Sequence, residues 1–281
     1  MQPTNFPECG DVCFTAAEVL PGVYHIRNNY GELVFMTLLV GTTQALLIDT
    51  GYGYGDLPGL VRSLTELPLT VVNSHGHSDH NGGNFQFPQV WQSHLDIEPT
   101  KWSRCEEINT HVQAFCPPPE AGGFDYAAYL AYDPATTLPL EDGQMFDLGG
   151  LTVRTILVGN HCPGACVFYC PERELLVAGD AVAPAVSLAY AESCTVEEHA
   201  RRLRQIQQLP FRYILSGHSD RLIPKSEMQS YIDCAEHIQE AAYGRYKSPL
   251  MPSRACRMYY YTNADGDTGI IILPKPEGSK R

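Results

Sequence analysis

Residue types that bind metal ions are concentrated in one short segment, which reads His75-Gly76-His77-Ser78-Asp79-His80. In a chain of this composition the pattern H-x-H-x-D-H arises by chance with a probability of roughly 0.0006. In an extended loop, residues two apart point to the same side, so His75 and His77 can share one ion. Asp79 and His80 follow a turn and face elsewhere, which suits a second ion nearby. Imidazole and carboxylate groups are common zinc ligands, so the segment predicts a metal site.

Three more residues of the ligand type stand just after apolar segments that we predict to be strands. They are His161, Asp180 and His218, and each has a glycine close by. Strand ends of this kind gather around one edge of a sheet, where binding sites tend to form. We therefore expect these three side chains to join the histidine-rich segment in one site.

The order of these pieces resembles the metallo-β-lactamase superfamily over most of the chain, from about Val19 to His218. Two weaker matches, Leu20–Tyr24 and Leu47–Gly51, precede the highly specific His75–His80 segment. The resemblance implies two zinc ions, with iron or manganese as alternatives. By this resemblance, the first ion would be held by His75, His77 and His161. The second ion would be held by Asp79, His80 and His218. Asp180 would bridge both ions, and Asp49 would orient a ligand.

The alternation of apolar segments and turns predicts an α/β fold in two strand-rich halves. We predict strands at Val23–Arg27, Leu33–Gly41, Gln44–Asp49, Thr70–Val72, Leu151–Val158, Ala165–Cys170, Leu175–Ala178 and Tyr213–Leu215. We predict helices at Asp56–Leu67, Val196–Leu209 and Lys225–Tyr243, the last ended by Gly244. With the resemblance, this pattern indicates a four-layer αββα metallo-β-lactamase sandwich, in which two mixed β-sheets are flanked by helices.

We expect one domain over residues 1–281, with two additions to the sandwich. Residues from about 97 to 139 are rich in aromatic residues, proline and glycine, which favours a lid-like insertion. Residues from about 256 to 274, around Asp265-Gly266, predict a carboxyl-terminal hairpin. Either addition could form a homodimer contact, and the sequence does not decide between a monomer and a dimer.

Composition and charge limit the classes of binding partner that we expect. The formal net charge is -13 and the 19 Lys and Arg residues form no basic stripe, so we expect no nucleic acid. We find no secretory signal and no apolar stretch of about 20 residues, so we expect no membrane partner. Ten scattered cysteines then indicate reduced thiols and a cytoplasmic protein. The expected partner is a small-molecule substrate.

The predicted reaction is hydrolysis, in which a metal-bridging hydroxide attacks a small ester, lactone, thioester or amide. Asp79 is the candidate catalytic residue that accepts or relays a proton, and Tyr190 is a candidate substrate-binding residue. Cys162, next to His161, is interpreted as a buried structural cysteine. Two alternatives stay open: a mononuclear iron oxidoreductase resembling thiol or persulfide dioxygenases, and a non-catalytic metal-binding module.

Overall fold

The first half of the chain forms an eight-stranded mixed sheet in the computed structural model, which describes residues 8–10, 12–104, 123–247 and 254–275. In spatial and chain order its strands are β1 (Glu8–Gly10), β2 (Phe14–Leu20), β3 (Val23–Asn28), β4 (Phe35–Val40), β5 (Ala45–Ile48), β6 (Leu69–Val72), β7 (Trp91–Gln92) and β8 (Leu138–Pro139). Strands β1 to β5 pair antiparallel, and β5 to β8 pair parallel. The sequence analysis did not predict β1 and β2.

A second mixed sheet has six strands in the order β15-β14-β12-β11-β10-β9. They are β9 (Met145–Asp147), β10 (Thr152–Leu157), β11 (Cys166–Cys170), β12 (Leu175–Gly179), β14 (Tyr213–Ser216) and β15 (Ile223–Pro224). Strands β12 and β14 run parallel and are joined through a helix on the outer face, while the other pairs are antiparallel.

The described residues contain six α-helices. They are α1 (Leu57–Leu64), α2 (Ser78–Asn81), α3 (97–104), α4 (Tyr126–Ala131), α5 (Val196–Gln207) and α6 (Met228–Glu236). Leu60 of α1 packs with Leu47 of the first sheet, and Leu203 of α5 packs with Leu176 of the second. Between the two sheets lies an apolar cluster that includes Ile48 from β5. The predicted four-layer αββα arrangement is therefore confirmed.

A third sheet of four strands, in the order β13-β18-β17-β16, lies against α5 and α6. Its strands are β13 (Ala185–Ser187), β16 (Ala242–Lys247), β17 (Ala255–Thr262) and β18 (Thr268–Pro274). Strands β17 and β18 form the predicted hairpin. The sheet as a whole was not predicted from the sequence.

The predicted helix Lys225–Tyr243 is wrong in its second half. Helix α6 ends at Glu236, and His237 has φ −105° and ψ 25°, which breaks the helical path. Tyr243 and Gly244, which we expected at the end of the helix, lie within β16 and pair with β17. Long-range pairing with β17 and the strand preference of tyrosine outweigh the helical periodicity of this segment.

The predicted insertion falls partly on residues 105–122, which are outside the described residues. The residues on either side form α3 and α4. Thr100 and Ser103 of α3 are buried, and the Ser103 hydroxyl accepts a hydrogen bond from the Ser78 N–H at 2.8 Å. Helix α3 thus supports the histidine-rich segment directly. Within the described residues, no helix is both long enough and apolar enough to cross a bilayer.

Candidate metal centre

Seven side chains from four strand ends meet at one edge of the sandwich. The segment from His75 to His80 follows β6 and continues into α2, whereas His161 lies beyond β10. Asp180 follows β12 directly, and His218 lies two residues beyond β14. Their ligand atoms form three overlapping groups, within each of which the atoms lie no more than 4.8 Å apart: His75, His77 and His161; His75, His80 and Asp180; Asp79, His80 and His218.

The first group consists of three buried imidazoles. His75, His77 and His161 are each 1% exposed, and Nδ1 of His77 lies 2.8 Å from Nε2 of His161. The other ring nitrogen of His161, Nδ1, lies 2.7 Å from the carbonyl oxygen of Ser187, which fixes the ring. Nε2 of His75 has no hydrogen-bond partner within the described part of the chain. A buried polar atom of this kind is costly unless it binds something, so the group fits a divalent cation.

The group formed by Asp79, His80 and His218, called the second group from here on, combines two imidazoles with one carboxylate. Nε2 of His218 lies 3.4 Å from Asp79 Oδ2 and 3.4 Å from Nε2 of His80. Nε2 of His80 lies 3.5 Å from Asp79 Oδ2. Nδ1 of His218 is 2.6 Å from the carbonyl oxygen of Leu33, so Nε2 is the nitrogen that faces the group. This mixed set of nitrogen and oxygen donors also fits a divalent cation.

Asp180 lies between the two groups. Its Oδ1 is 3.3 Å from Nε2 of His80, and its Oδ2 is 3.2 Å from Nε2 of His218. The same Oδ2 is 3.6 Å from Nε2 of His161, which belongs to the first group. A carboxylate in this position can contact two cations at once.

The first group contains imidazoles that resist protonation. Burial is the main cause that lowers the pKa of His75 well below its usual range. Burial, with the nearby His77, also lowers the pKa of His161 to about 4. These rings therefore stay neutral near pH 7 and keep a lone pair for a cation.

In the second group, by contrast, the surroundings favour protonated imidazoles. Burial opposes the charged form of His218, but Asp180 and Asp79 outweigh it and raise its pKa to about 9. Burial likewise opposes charge on His80, yet Asp79 and Asp180 raise its pKa well above the usual range. Burial disfavours the Asp180 carboxylate, but His218 and His80 hold its pKa well below the usual range. Without a cation, protons on these two imidazoles balance the two carboxylates.

Uptake of a cation by the second group is therefore expected to release about two protons near pH 7, because ligand nitrogens must be deprotonated. Affinity at this group should fall as the pH decreases, and should rise with pH up to about 9, where His218 loses its own proton. Calorimetric zinc titration in buffers of different ionisation enthalpy measures the number of protons. Binding at this group without proton release would contradict the assignment.

Asp49 lies behind the centre rather than in it. Its Oδ2 is 2.9 Å from Nδ1 of His80, and both its oxygens accept hydrogen bonds from Ser74, from the N–H at 2.6 Å and from the hydroxyl at 2.7 Å. Asp49 has φ 68°, in the left-handed region that Asp and Asn tolerate better than other residues with a side chain. These contacts suit a residue that fixes the orientation of His80, which is the role expected from the resemblance.

The variant Asp49→Asn is expected to lower metal affinity about 10- to 100-fold, because the amide NH₂ cannot accept from His80 and Ser74. Asn also tolerates the left-handed backbone, so the fold should persist. Competition with a chromogenic chelator measures the affinity. Asp147→Asn is the matched control, since Asp147 is exposed and also accepts a backbone hydrogen bond, from Gly149 at 2.9 Å. Unchanged affinity in Asp49→Asn would contradict the orienting role.

Another buried carboxyl group, Asp96, was not found from the sequence. It is 0% exposed and accepts hydrogen bonds from the N–H of Gly76 at 2.8 Å and of Gly164 at 2.6 Å. A Cβ at Gly76 would lie 2.7 Å from the Cβ of Asp96, so glycine is required for this approach. Asp96 thereby ties the loop that carries His75 and His77 to the loop that follows His161. No local motif marks it, because its partners are distant in sequence.

Cys162 is buried, and its thiol donates to Asp96 Oδ2 at 3.1 Å. Burial and the neighbouring Asp96 carboxylate raise the pKa of this thiol well above its usual range. A buried thiol held against a carboxylate is a poor nucleophile, which agrees with its interpretation as a structural cysteine. Seven cysteines whose side chains lie in the described part of the chain are free thiols.

A cavity of about 300 Å³ opens onto five of the seven side chains, namely His77, Asp79, His161, Asp180 and His218. Its wall includes Glu32 and Tyr190, together with Ser187, Tyr246 and Ile272 from the third sheet. The Tyr190 ring packs on His77 with centroids 4.2 Å apart, which places it beside the first group. Burial, aided by Asp79, raises the pKa of Glu32. Glu32 and the third-sheet residues were not predicted as parts of the site.

Glu192 is a further residue missed by the sequence analysis. Its Oε1 lies 3.5 Å from Nε2 of His77, the nitrogen of that ring that faces away from His161. A carboxylate in this position can fix the ring orientation of a metal-binding histidine. Its position in the loop before α5 gives no spacing signal that links it to His77.

Comparison with known proteins agrees with this geometry. Residues 29–218 match the model of the metallo-beta-lactamase superfamily. Acyl-coenzyme A thioesterase MBLAC2 of Bos taurus is 25% identical, over 70% of this chain and 78% of that protein. Atrochrysone carboxyl ACP thioesterase of Aspergillus fumigatus is 27% identical, over 77% of this chain and 61% of that protein.

Two solved structures illustrate the same fold. A metallo-beta-lactamase from Pontibacter korlensis superposes with a TM-score of 0.58 at 16% identity, covering 79% of this chain and 99% of that one. A metallo-beta-lactamase family protein from Thermus thermophilus superposes with a TM-score of 0.56 at 21% identity, covering 79% of this chain and 81% of that one. By the match over residues 29–218 and this shared fold, the chain belongs to the metallo-beta-lactamase superfamily.

Proposed function

We propose that this protein is a metal-dependent thioester hydrolase whose centre holds two divalent cations, zinc by the chemistry of its donors. The observation that carries the proposal is the convergence of seven buried or half-buried ligand side chains in three overlapping groups. His75, His77 and His161 would hold the first cation. Asp79, His80 and His218 would hold the second, and Asp180 would bridge them. A structural zinc has a closed four-ligand site, so a set of seven favours a catalytic centre.

The choice of a thioester among the predicted ester, lactone, thioester and amide substrates is supported by relatives. Two different proteins similar to this chain over 70% of its length or more are thioesterases by name. The cavity beside the centre gives a substrate of this class direct access to His77, Asp79 and Asp180.

Two bound cations would lower the pKa of a shared water and polarise the thioester carbonyl. The residues of the chain would position these groups and move protons. Asp79, whose Oδ2 lies 3.4 Å from Nε2 of His218 and which lines the cavity, would accept or relay a proton. Tyr190 forms a wall against His77 and would orient the acyl group. The imidazoles of His75 and His161 stay neutral and available.

The test combines metal analysis with turnover. About two zinc ions per chain, with thioester cleavage that exceeds cleavage of the matching oxygen ester and lactone, would support the proposal. Iron at about one ion per chain, with oxygen uptake on thiol substrates, would replace it with the dioxygenase alternative. Stable metal binding without turnover of any of these substrates would indicate a binding module.

A further inference from the structure

A second cavity, of about 630 Å³, lies where β16 and β17 approach their connection. Half of its ten lining residues are cationic: Arg245, Lys247, Arg254, Arg257 and Lys275. This is a dense concentration in a chain with 19 Lys and Arg and a formal charge of -13. The local sign of the surface is thus opposite to that of the whole protein, which favours an anionic ligand here.

The strand register brings like charges together. Arg245 of β16 pairs directly opposite Arg257 of β17, and Lys247 follows on the same face of the strand two residues later. Like charges directly opposite in a sheet repel each other, and an anion bound beside them reduces that repulsion. Within the described part of the chain, no carboxylate forms an ion pair with Arg245, Lys247 or Lys275.

The basic cavity adjoins the metal cavity. Tyr246 lies in the walls of both. Nη1 of Arg254 donates to the carbonyl oxygen of Ala189 at 2.6 Å, next to Tyr190, which packs on His77. Cys256 from the basic cavity packs in one apolar cluster with Tyr190. The two cavities therefore share the edge strand β16, and a ligand that occupies both would have to pass this edge.

We propose that the basic cavity binds the phosphate groups of a coenzyme A thioester while the thioester carbonyl lies at the metal centre. This inference rests on the proposed thioester hydrolysis and names its substrate class. In an acyl-coenzyme A the phosphates and the thioester lie at opposite ends of a long flexible arm, which matches two adjoining cavities of different chemistry. Arginine is suited to phosphate because its planar guanidinium donates two parallel hydrogen bonds. The ring of Tyr243, 4.4 Å from the Arg257 guanidinium carbon, adds an aromatic surface at the same place.

The test compares three thioesters that share one acyl group: the acyl-coenzyme A, the acyl-dephospho-coenzyme A and the S-acyl-pantetheine. The variants are Arg245→Glu and Lys247→Glu, both on exposed positions of an edge strand, where substitutions have small effects on stability. Arg212→Glu is the matched control, because Arg212 is also exposed and makes the same charge change away from this cavity. Calorimetric titration with free coenzyme A measures binding without turnover.

Each variant is expected to lower kcat/KM for the acyl-coenzyme A about tenfold or more, since a hydrogen bond between charged groups is removed and a repulsive charge is added. The S-acyl-pantetheine should be cleaved equally by the wild type, the variants and the control. Free coenzyme A should bind the wild type and the Arg212→Glu control more tightly than either variant. High salt should reduce this difference in affinity, because it screens the charges.

Two results would overturn the inference while leaving the proposed function intact. One is an equal loss for the acyl-coenzyme A and the S-acyl-pantetheine. The other is cleavage only of thioesters carried on an acyl carrier protein, with no binding of coenzyme A. If no thioester is cleaved, the proposed function fails, and titration with coenzyme A still decides whether the basic cavity binds phosphates.

Discussion

Asp180→Asn is expected to abolish turnover, with a loss of more than about 1,000-fold in kcat, because one side chain serves both groups of ligands. The Asp180 carboxylate lies 3.2 Å from His218 and 3.6 Å from His161, measured from Oδ2 to each Nε2. An amide cannot supply negative charge between two cations, and its NH₂ would face one of them. Turnover of the preferred thioester and metal content by elemental analysis are the measurements. The metal content should fall from about two ions per chain towards one.

Asp265→Asn is the matched control for this variant, since Asp265 is exposed in the turn between β17 and β18. It makes the same chemical change and should keep full activity and metal content. His77→Ala complements the test by removing a ligand of the first group only. If Asp180→Asn keeps both ions and more than about a tenth of the activity, Asp180 does not bridge two cations.

The parts of this fold that the sequence predicts are those whose signal is local. Strand β5 is apolar at every position because both its faces are covered, and the buried residues Ala45–Ile48 agree with that interpretation. The ligand side chains were recognisable because the His75–His80 spacing is rare and because His161, Asp180 and His218 each follow an apolar segment closely. Their convergence follows from sheet topology, in which β6, β12 and β14 end at the same edge of the sandwich.

The residues that escaped prediction depend on partners far away in sequence. Asp96 is identified by its contacts with Gly76 and Gly164, which lie 20 and 68 positions from it. Strand β16 is identified by its pairing with β17, whereas its local sequence continues the pattern of α6. The opposed Arg245 and Arg257 become a basic site only through that pairing. Tertiary contacts of this kind outweigh weak local preferences and leave no mark in a short window of sequence.

Removal of metal by a chelator is expected to abolish turnover and to lower the midpoint of thermal unfolding. Without a cation, Nε2 of His75 stays buried without a hydrogen bond among the described residues. The Asp79 and Asp180 carboxylates then depend on protons carried by His80 and His218. A cation present at about 1,000 times its dissociation constant stabilises the folded state by about 4 kcal/mol, which corresponds to a change on the order of 10 °C in Tm. Scanning calorimetry before and after dialysis against chelator measures this shift.

Adding one metal at a time to the metal-free protein distinguishes the candidate metals. The test is needed because the same ligands can accept zinc, manganese or iron. Recovery of thioester cleavage and of Tm on addition of zinc without oxygen would support the hydrolytic centre. Recovery with iron(II) alone, accompanied by oxygen uptake on a thiol, would support the dioxygenase hypothesis. The second group adds an internal check, since its two protonated imidazoles must lose protons when a cation enters. Recovery of Tm should therefore be weaker at pH 5 than at pH 8, whereas equal recovery at both values would contradict metal binding by His80 and His218.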